Sequence, residues 1–174
     1  MLDNQVLFVM QEYIQRNIDV ELLEWKNNPM RKPLLLRGAR QVGKSSAVRH
    51  FGKEFKYFAE VKIAKYINVP IEEGETLLFL DEIQECPEAI MALRFFKEDY
   101  PGLHVIAAGS LLEFTLQELP TYGVGRIHTL FMYPMTFDEF LKANDENGLI
   151  DMKGQADSRH PLDDAFHEKL VEYF

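Results

Sequence analysis

Residues Gly38-Ala39-Arg40-Gln41-Val42-Gly43-Lys44-Ser45 carry the spacing G-x-x-x-x-G-K-[ST], and each type suits the capture of a polyphosphate. Gly38 and Gly43 admit backbone conformations that a Cβ forbids, so successive N–H groups can turn inward around an anion. Lys44 adds a point positive charge for the β- and γ-phosphates, and Ser45 offers a hydroxyl to Mg²⁺. Ser46 continues into a helix whose positive end aims at the same place. The cofactor-binding set is therefore 38–46, with Lys44 also catalytic. An ordinary glycine turn before a helix would leave the Lys-Ser pair without a reason.

A second set of side chains supplies the partner chemistry. Leu77-Leu78-Phe79-Leu80 ends in Asp81-Glu82, which reads as a buried parallel strand with carboxylates at its C-terminal end, where open α/β sheets bind ligands. Asp81 is then a Mg²⁺ ligand with Ser45, directly or through water, since Mg²⁺ keeps several waters and takes only one or two carboxylates. Glu82 is the candidate general base for an attacking water. Ser110, after the apolar run His104-Val105-Ile106-Ala107-Ala108-Gly109, has two compatible roles. It can touch the γ-phosphate or the water, and it can cap a helix over Leu111-Leu112-Glu113-Phe114, with Glu113 at the capping-box position. Arg126 is a candidate γ-phosphate sensor, or a finger reaching a neighbouring protomer; a surface arginine at a strand entrance is the plain alternative.

These residues need strands to hold them. Pro33-Leu34-Leu35-Leu36 precedes the glycine loop, Tyr57-Phe58-Ala59-Glu60-Val61 reads as a second strand, and His128-Thr129-Leu130-Phe131-Met132-Tyr133 is a further apolar run. Helices are expected after Ser45, with Val48 and Phe51 facing inward, and over Pro87–Phe96, with proline in the first turn and Ile90, Leu93 and Phe96 as a stripe. A short helix over Phe137–Ala143 opens at Thr136. The start of the chain, Val6 to Trp25, is helical in pattern and is expected beside the core, near the nucleotide base. Asp145 to His160 reads as a loop. Leu162, Phe166, Leu170, Tyr173 and Phe174 form an amphipathic helix that needs a partner surface.

The ordered set of 38–45, Leu80-Asp81-Glu82-Ile83-Gln84, Ala108-Gly109-Ser110, Gly125-Arg126 and Tyr133-Pro134-Met135-Thr136-Phe137-Asp138-Glu139-Phe140-Leu141 resembles the prokaryotic AAA-type ATPases whose P-loop domain precedes a C-terminal domain of unknown function. The resemblance runs from about Arg31 to Leu141 and implies an α/β fold, a three-layer P-loop NTPase sandwich with a mostly parallel five-stranded sheet flanked by helices. It implies ATP and Mg²⁺ as ligands, and ATP hydrolysis in an unassigned cellular role. The expected organisation is an N-terminal helical segment at 1–30, an ATPase core at 31–143, and a linker leading into a truncated C-terminal helical region at 144–174. The family usually has a longer stretch between its glycine loop and carboxylate strand. Here Lys44 and Asp81 stand 37 positions apart, so a segment between Val61 and Lys65 is expected to be missing. The end at Phe174 suggests a fragment.

Composition narrows the alternatives. Hydrophobic content of 47% supports a solid core, and the single cysteine, Cys86, allows no intrachain disulfide. No apolar run spans a membrane and no leader pattern opens the chain, so a cytoplasmic protein is expected. The five histidines lack metal spacing. The net charge of −9 is uneven: 31–65 carry +8, while 66–174 carry −14. The basic stretch suits a polyphosphate, and Arg49, Lys53 and Lys56 in it read as solvated. An Asn-Lys-x-Asp guanine motif is missing, which disfavours a GTPase. The alternatives to an ATPase are a nucleotide-gated module binding DNA or protein with little turnover, and a small-molecule kinase. Oligomerisation is compatible with each.

Overall fold

A computed structural model describes residues 13–61, 69–110, 125–156 and 163–174. Five strands form one sheet: β1 (Leu34–Arg37), β2 (Tyr57–Val61), β3 (Thr76–Asp81), β4 (His104–Ala108) and β5 (His128–Phe131). Their order is β2-β3-β4-β1-β5 and every pairing is parallel. Six α-helices accompany them among the described residues: α1 (Ile18–Asn27), α2 (Lys44–Phe51), α3 (Pro87–Asp99), α4 (Phe137–Ala143), α5 (Asn147–Gln155) and α6 (Asp164–Tyr173). This is an α/β sandwich with an all-parallel five-stranded sheet, the architecture the resemblance implies.

The apolar runs divide by strand alternation. Leu34, Leu36, Leu77, Phe79, Ile106 and Ala108 pack with Leu22 and Trp25 of α1 and with Ala47, Val48 and Phe51 of α2. Leu35, Leu78, Val105 and Ala107 face the other way, against Ile90 and Leu93 of α3. Period-two alternation thus buries both faces of the central strands, which is why they read as continuous hydrophobic runs. Because parallel strands need crossovers, the loops after β1, β3 and β4 collect at one edge of the sheet, where a ligand crevice forms. β4 lies between β1 and β3, and its end, Ala108-Gly109, carries almost no side chain to obstruct the gap.

Three elements differ from the sequence reading. Helix α1 begins only at Ile18; Tyr13–Asn17 are non-helical, held by Arg16 N–H and the Tyr13 hydroxyl donating to the Asp19 carboxylate at 2.8 and 2.6 Å. Leu7 and Met10 lie outside the described residues. The stretch taken as a loop contains α5, because Leu149 buries against Leu141 and Phe166, a tertiary contact that outweighs two poor helix formers, Gly148 and Gly154. The last helix finds its partner surface within the chain: Phe166 enters that same cluster, and the Tyr173 hydroxyl donates to the Met135 carbonyl. The join after Val61, at 62–65, and the helix proposed after Ser110 fall on residues outside the described ones.

Candidate nucleotide site

The glycine loop connects β1 to α2, and its backbone is left-handed at Gly38 (φ 145°), Gln41 (φ 63°) and Gly43 (φ 99°). A side chain at Gly38 is excluded twice, since a Cβ there would stand 2.2 Å from the Met132 carbonyl oxygen at the exit of β5. Gly43 is the residue before α2 and brings no side-chain cap, so the first N–H groups of the helix are not satisfied by a capping side chain and face toward the loop. The Lys44 ammonium is buried and donates to the carbonyls of Gly38 and Ala39 at 2.8 and 2.7 Å. The lysine thereby ties the loop closed around its own charge.

Across the crevice, the Ser45 hydroxyl donates to Asp81 Oδ1 at 2.8 Å. Asp81 ends β3 and is 6% exposed; its Oδ1 also accepts the Glu82 N–H at 3.2 Å. Glu82 turns left-handed (φ 54°, ψ 43°), which lifts its side chain out of the strand line into solvent. Gln84 Nε2 donates to Glu82 Oε2 at 2.6 Å. A cavity of about 330 Å³ is lined by Arg40, Gln41 and 43–46 from the loop, by Asp81 and Glu82, and by Gly109 and Ser110 beyond β4. Ala39 contributes its carbonyl to Lys44 and does not line the cavity. Val42 is held from behind, its carbonyl accepting Arg16 Nη1 at 3.1 Å.

Arg126 is not brought to this place. It precedes β5, whose His128 pairs with Leu34 at the start of β1, so it sits at the end of the sheet away from the glycine loop. Its Nε pairs with Glu98 of α3 at 2.9 Å. The reading of Arg126 as a γ-phosphate sensor within its own subunit is corrected by this topology.

Two features escaped the sequence reading. Arg49, taken as solvated, grips Glu60 of β2 through Nε and Nη2 at 2.8 and 2.7 Å and reaches Asp81 Oδ2 at 3.4 Å. Its position four residues after Ser45, on the same helical face, was the available signal. The second is a cavity of about 490 Å³ on the other side of the loop, sharing Gly43 and Ser46 and walled by Tyr13, Arg16, His50 and Met132. There the Tyr13 ring stacks on His50 at 3.9 Å between centroids. Burial, then the hydrogen bond to Asp19, raises the Tyr13 hydroxyl well above the usual phenol range, so the ring is neutral.

Among the described residues, no helix is long and apolar enough to cross a membrane. A family model described as AAA domain matches residues 30–141. No curated protein sequence matches the chain. Among solved structures, unliganded Pif1 from Bacteroides sp is similar at 13% identity with a TM-score of 0.42; the match covers 80% of this chain and 49% of that one. This chain therefore spans about half the length of that relative. With the match to the family model extending over more than half of its residues, the chain belongs to the AAA domain family.

Proposed function

We propose that the chain binds ATP with Mg²⁺ in the cavity between the glycine loop and the end of β3, and hydrolyses it. The observation that carries this reading is the 2.8 Å contact from Ser45 to Asp81. It joins the helix after the glycine loop to the carboxylate strand across an intervening strand, and both residues line one cavity. A hydroxyl and a carboxylate side by side are hard oxygen donors of the kind Mg²⁺ takes beside phosphate oxygens and water, so the residues fit the ion. Bound there, Mg²⁺ would neutralise charge on the β- and γ-phosphate oxygens.

The chain's own groups divide the remaining work. Backbone N–H groups of the loop residues that line the cavity, 40, 41 and 43–46, receive the phosphate oxygens, and the Lys44 ammonium, fixed by two loop carbonyls, supplies positive charge beside them. Glu82 orients the attacking water and takes its proton. Ser110 contacts the γ-phosphate or that water. The base lies in the second cavity beside Tyr13, within the N-terminal part expected near it. Arg126 takes no part inside one subunit. A switch with little turnover is the second reading, favoured by the 2.6 Å bond from Gln84, which occupies a lone pair on Glu82 that a water would otherwise use.

Replacing Glu82→Gln separates the two. A hydrolase retains binding of a fluorescent ATP analogue and loses phosphate release by roughly 100-fold or more. Unchanged phosphate release in that variant would remove Glu82 from the chemistry, and wild-type binding without release would favour the switch.

A further inference from the structure

Arg49 stands where three elements meet. It projects from α2 one turn after Ser45, and both side chains reach the same carboxylate: Ser45 takes Asp81 Oδ1 at 2.8 Å and Arg49 meets Oδ2 at 3.4 Å. Glu60 lies beside Phe79 in the β2–β3 register, two positions before Asp81, so both carboxylates project from the α2 side of the sheet. Glu60 holds the guanidinium with two bonds, 2.8 Å to Nε and 2.7 Å to Nη2. Nη2 is also the nitrogen that meets Asp81, so the bidentate grip on Nε and Nη2 fixes where its second N–H points.

The charges decide what this contact does. A lone arginine beside Asp81 would compete with a divalent cation for it. Arg49 is not lone, because Glu60 already balances its charge and is the closer partner by more than half an ångström. What Asp81 receives is a directed N–H donor from a guanidinium already paired with a carboxylate. That donor holds Oδ2 and leaves Oδ1 toward Ser45. An exposed Arg–Glu pair elsewhere would be worth little; this one ends on a carboxylate that is 6% exposed.

We propose that Arg49, anchored by Glu60, is a positioning residue that orients Asp81 for Mg²⁺, an inference that rests on the reading of Ser45 and Asp81 given above. Both groups act on the metal through Asp81; Arg49 also lines the second cavity, so its effect on nucleotide binding without Mg²⁺ is read separately, whereas Glu60 does not line it. Loss of such an outer partner typically weakens a metal site by about 10- to 100-fold.

The test titrates Mg²⁺ into protein holding a fluorescent ATP analogue, in wild type, Arg49→Ala, Arg49→Lys and Glu60→Gln, with binding also measured in EDTA. The expected result is an apparent Mg²⁺ affinity about 10-fold weaker in Arg49→Ala, compared at matched occupancy of the analogue because Arg49 lines the second cavity, and in Glu60→Gln a weaker Mg²⁺ affinity with Mg²⁺-free binding within about 3-fold of wild type. Lysine does not restore it, because an ammonium cannot span both carboxylates with a fixed fork. Glu60→Gln weakens Mg²⁺ as well, by leaving the arginine charge unbalanced beside Asp81. It also decides the matter should the alanine variant fail to fold. Variants that titrate like wild type overturn the assignment and leave the site reading intact. Tighter Mg²⁺ binding in Arg49→Ala overturns it too, making Arg49 a competitor. A wild type whose binding ignores Mg²⁺ overturns both.

Discussion

Gly38 illustrates how narrowly the glycine loop is specified. Its φ of 145° and the Met132 carbonyl 2.2 Å from a hypothetical Cβ mean that even alanine must displace the β5 exit. Gly38→Ala should cost about 2 kcal/mol or more, from strain of this kind, and weaken nucleotide binding alongside. Urea unfolding and nucleotide titration of the variant check both. Glu82 makes the opposite use of the same region: a residue with a Cβ held at φ 54° stores strain of order 1–3 kcal/mol. That turn is what separates its carboxylate from Asp81, so two adjacent acids are free to have different work. In Glu82→Gln the backbone is unchanged, and the loss of phosphate release expected above reports on the carboxylate alone.

Helix α4 shows how a short element gains definition from both ends. Thr136 and Glu139 form a capping box, with the Glu139 N–H donating to Thr136 Oγ1 at 3.2 Å and the Thr136 N–H donating to Glu139 Oε2 at 2.7 Å. The other oxygen of Glu139 accepts Arg16 Nε at 3.1 Å and the Asn17 N–H at 2.7 Å. Burial alone would raise the Glu139 pKa, but these donors together hold it below the usual carboxylate value. Arg16 continues to the carbonyls of Val42 and Tyr133, so the segment before α1 is stitched to the glycine loop and to the chain leaving β5. Thr136→Ala removes a cap and should cost about 1 kcal/mol. Glu139→Ala also strands a guanidinium whose side chain is 9% exposed and should cost about 3 kcal/mol or more. Urea midpoints of the two variants, compared in one buffer, separate capping from the ion pair.

The molecule as a whole carries a pH dependence at the edge of its sheet opposite the nucleotide crevice. His104 opens β4 and is buried against the edges of Trp25 and Phe55. Burial first, and then the Arg31 charge, lowers its pKa from 6.5 to about 4. The folded state holds the ring neutral while the unfolded chain takes up a proton below about pH 6.5. Stability is therefore full above that value and falls as pH drops toward about 4, by at most about 3 kcal/mol from this group. Urea unfolding at pH 7.5 and pH 5 should show the loss, and His104→Leu should flatten it. A slope that persists in the variant would assign the dependence to the carboxylates.

Local pattern was enough for most of the elements. Strand runs at β1, β2, β3 and β4 stand where apolar continuity put them, and Tyr57–Val61 matches residue for residue, because burial on both faces leaves an unbroken hydrophobic signal. The glycine and lysine spacing likewise announced left-handed backbone around an anion cradle, since such conformations are written in residue type. Pairing between distant segments carries no such mark. The spacing from Ser45 marked the helix face on which Arg49 stands, but not that β2 would bring Glu60 beside it, nor did the residues around Arg126 foretell that its strand begins at the far end of the sheet. Helix α5, weak in propensity and rich in glycine, exists because Leu149 meets Leu141 and Phe166. Periodicity and backbone preference act within a few residues; strand order, ion pairing and the burial of marginal helices arise from contacts between residues far apart in the chain, and only the folded arrangement decides them.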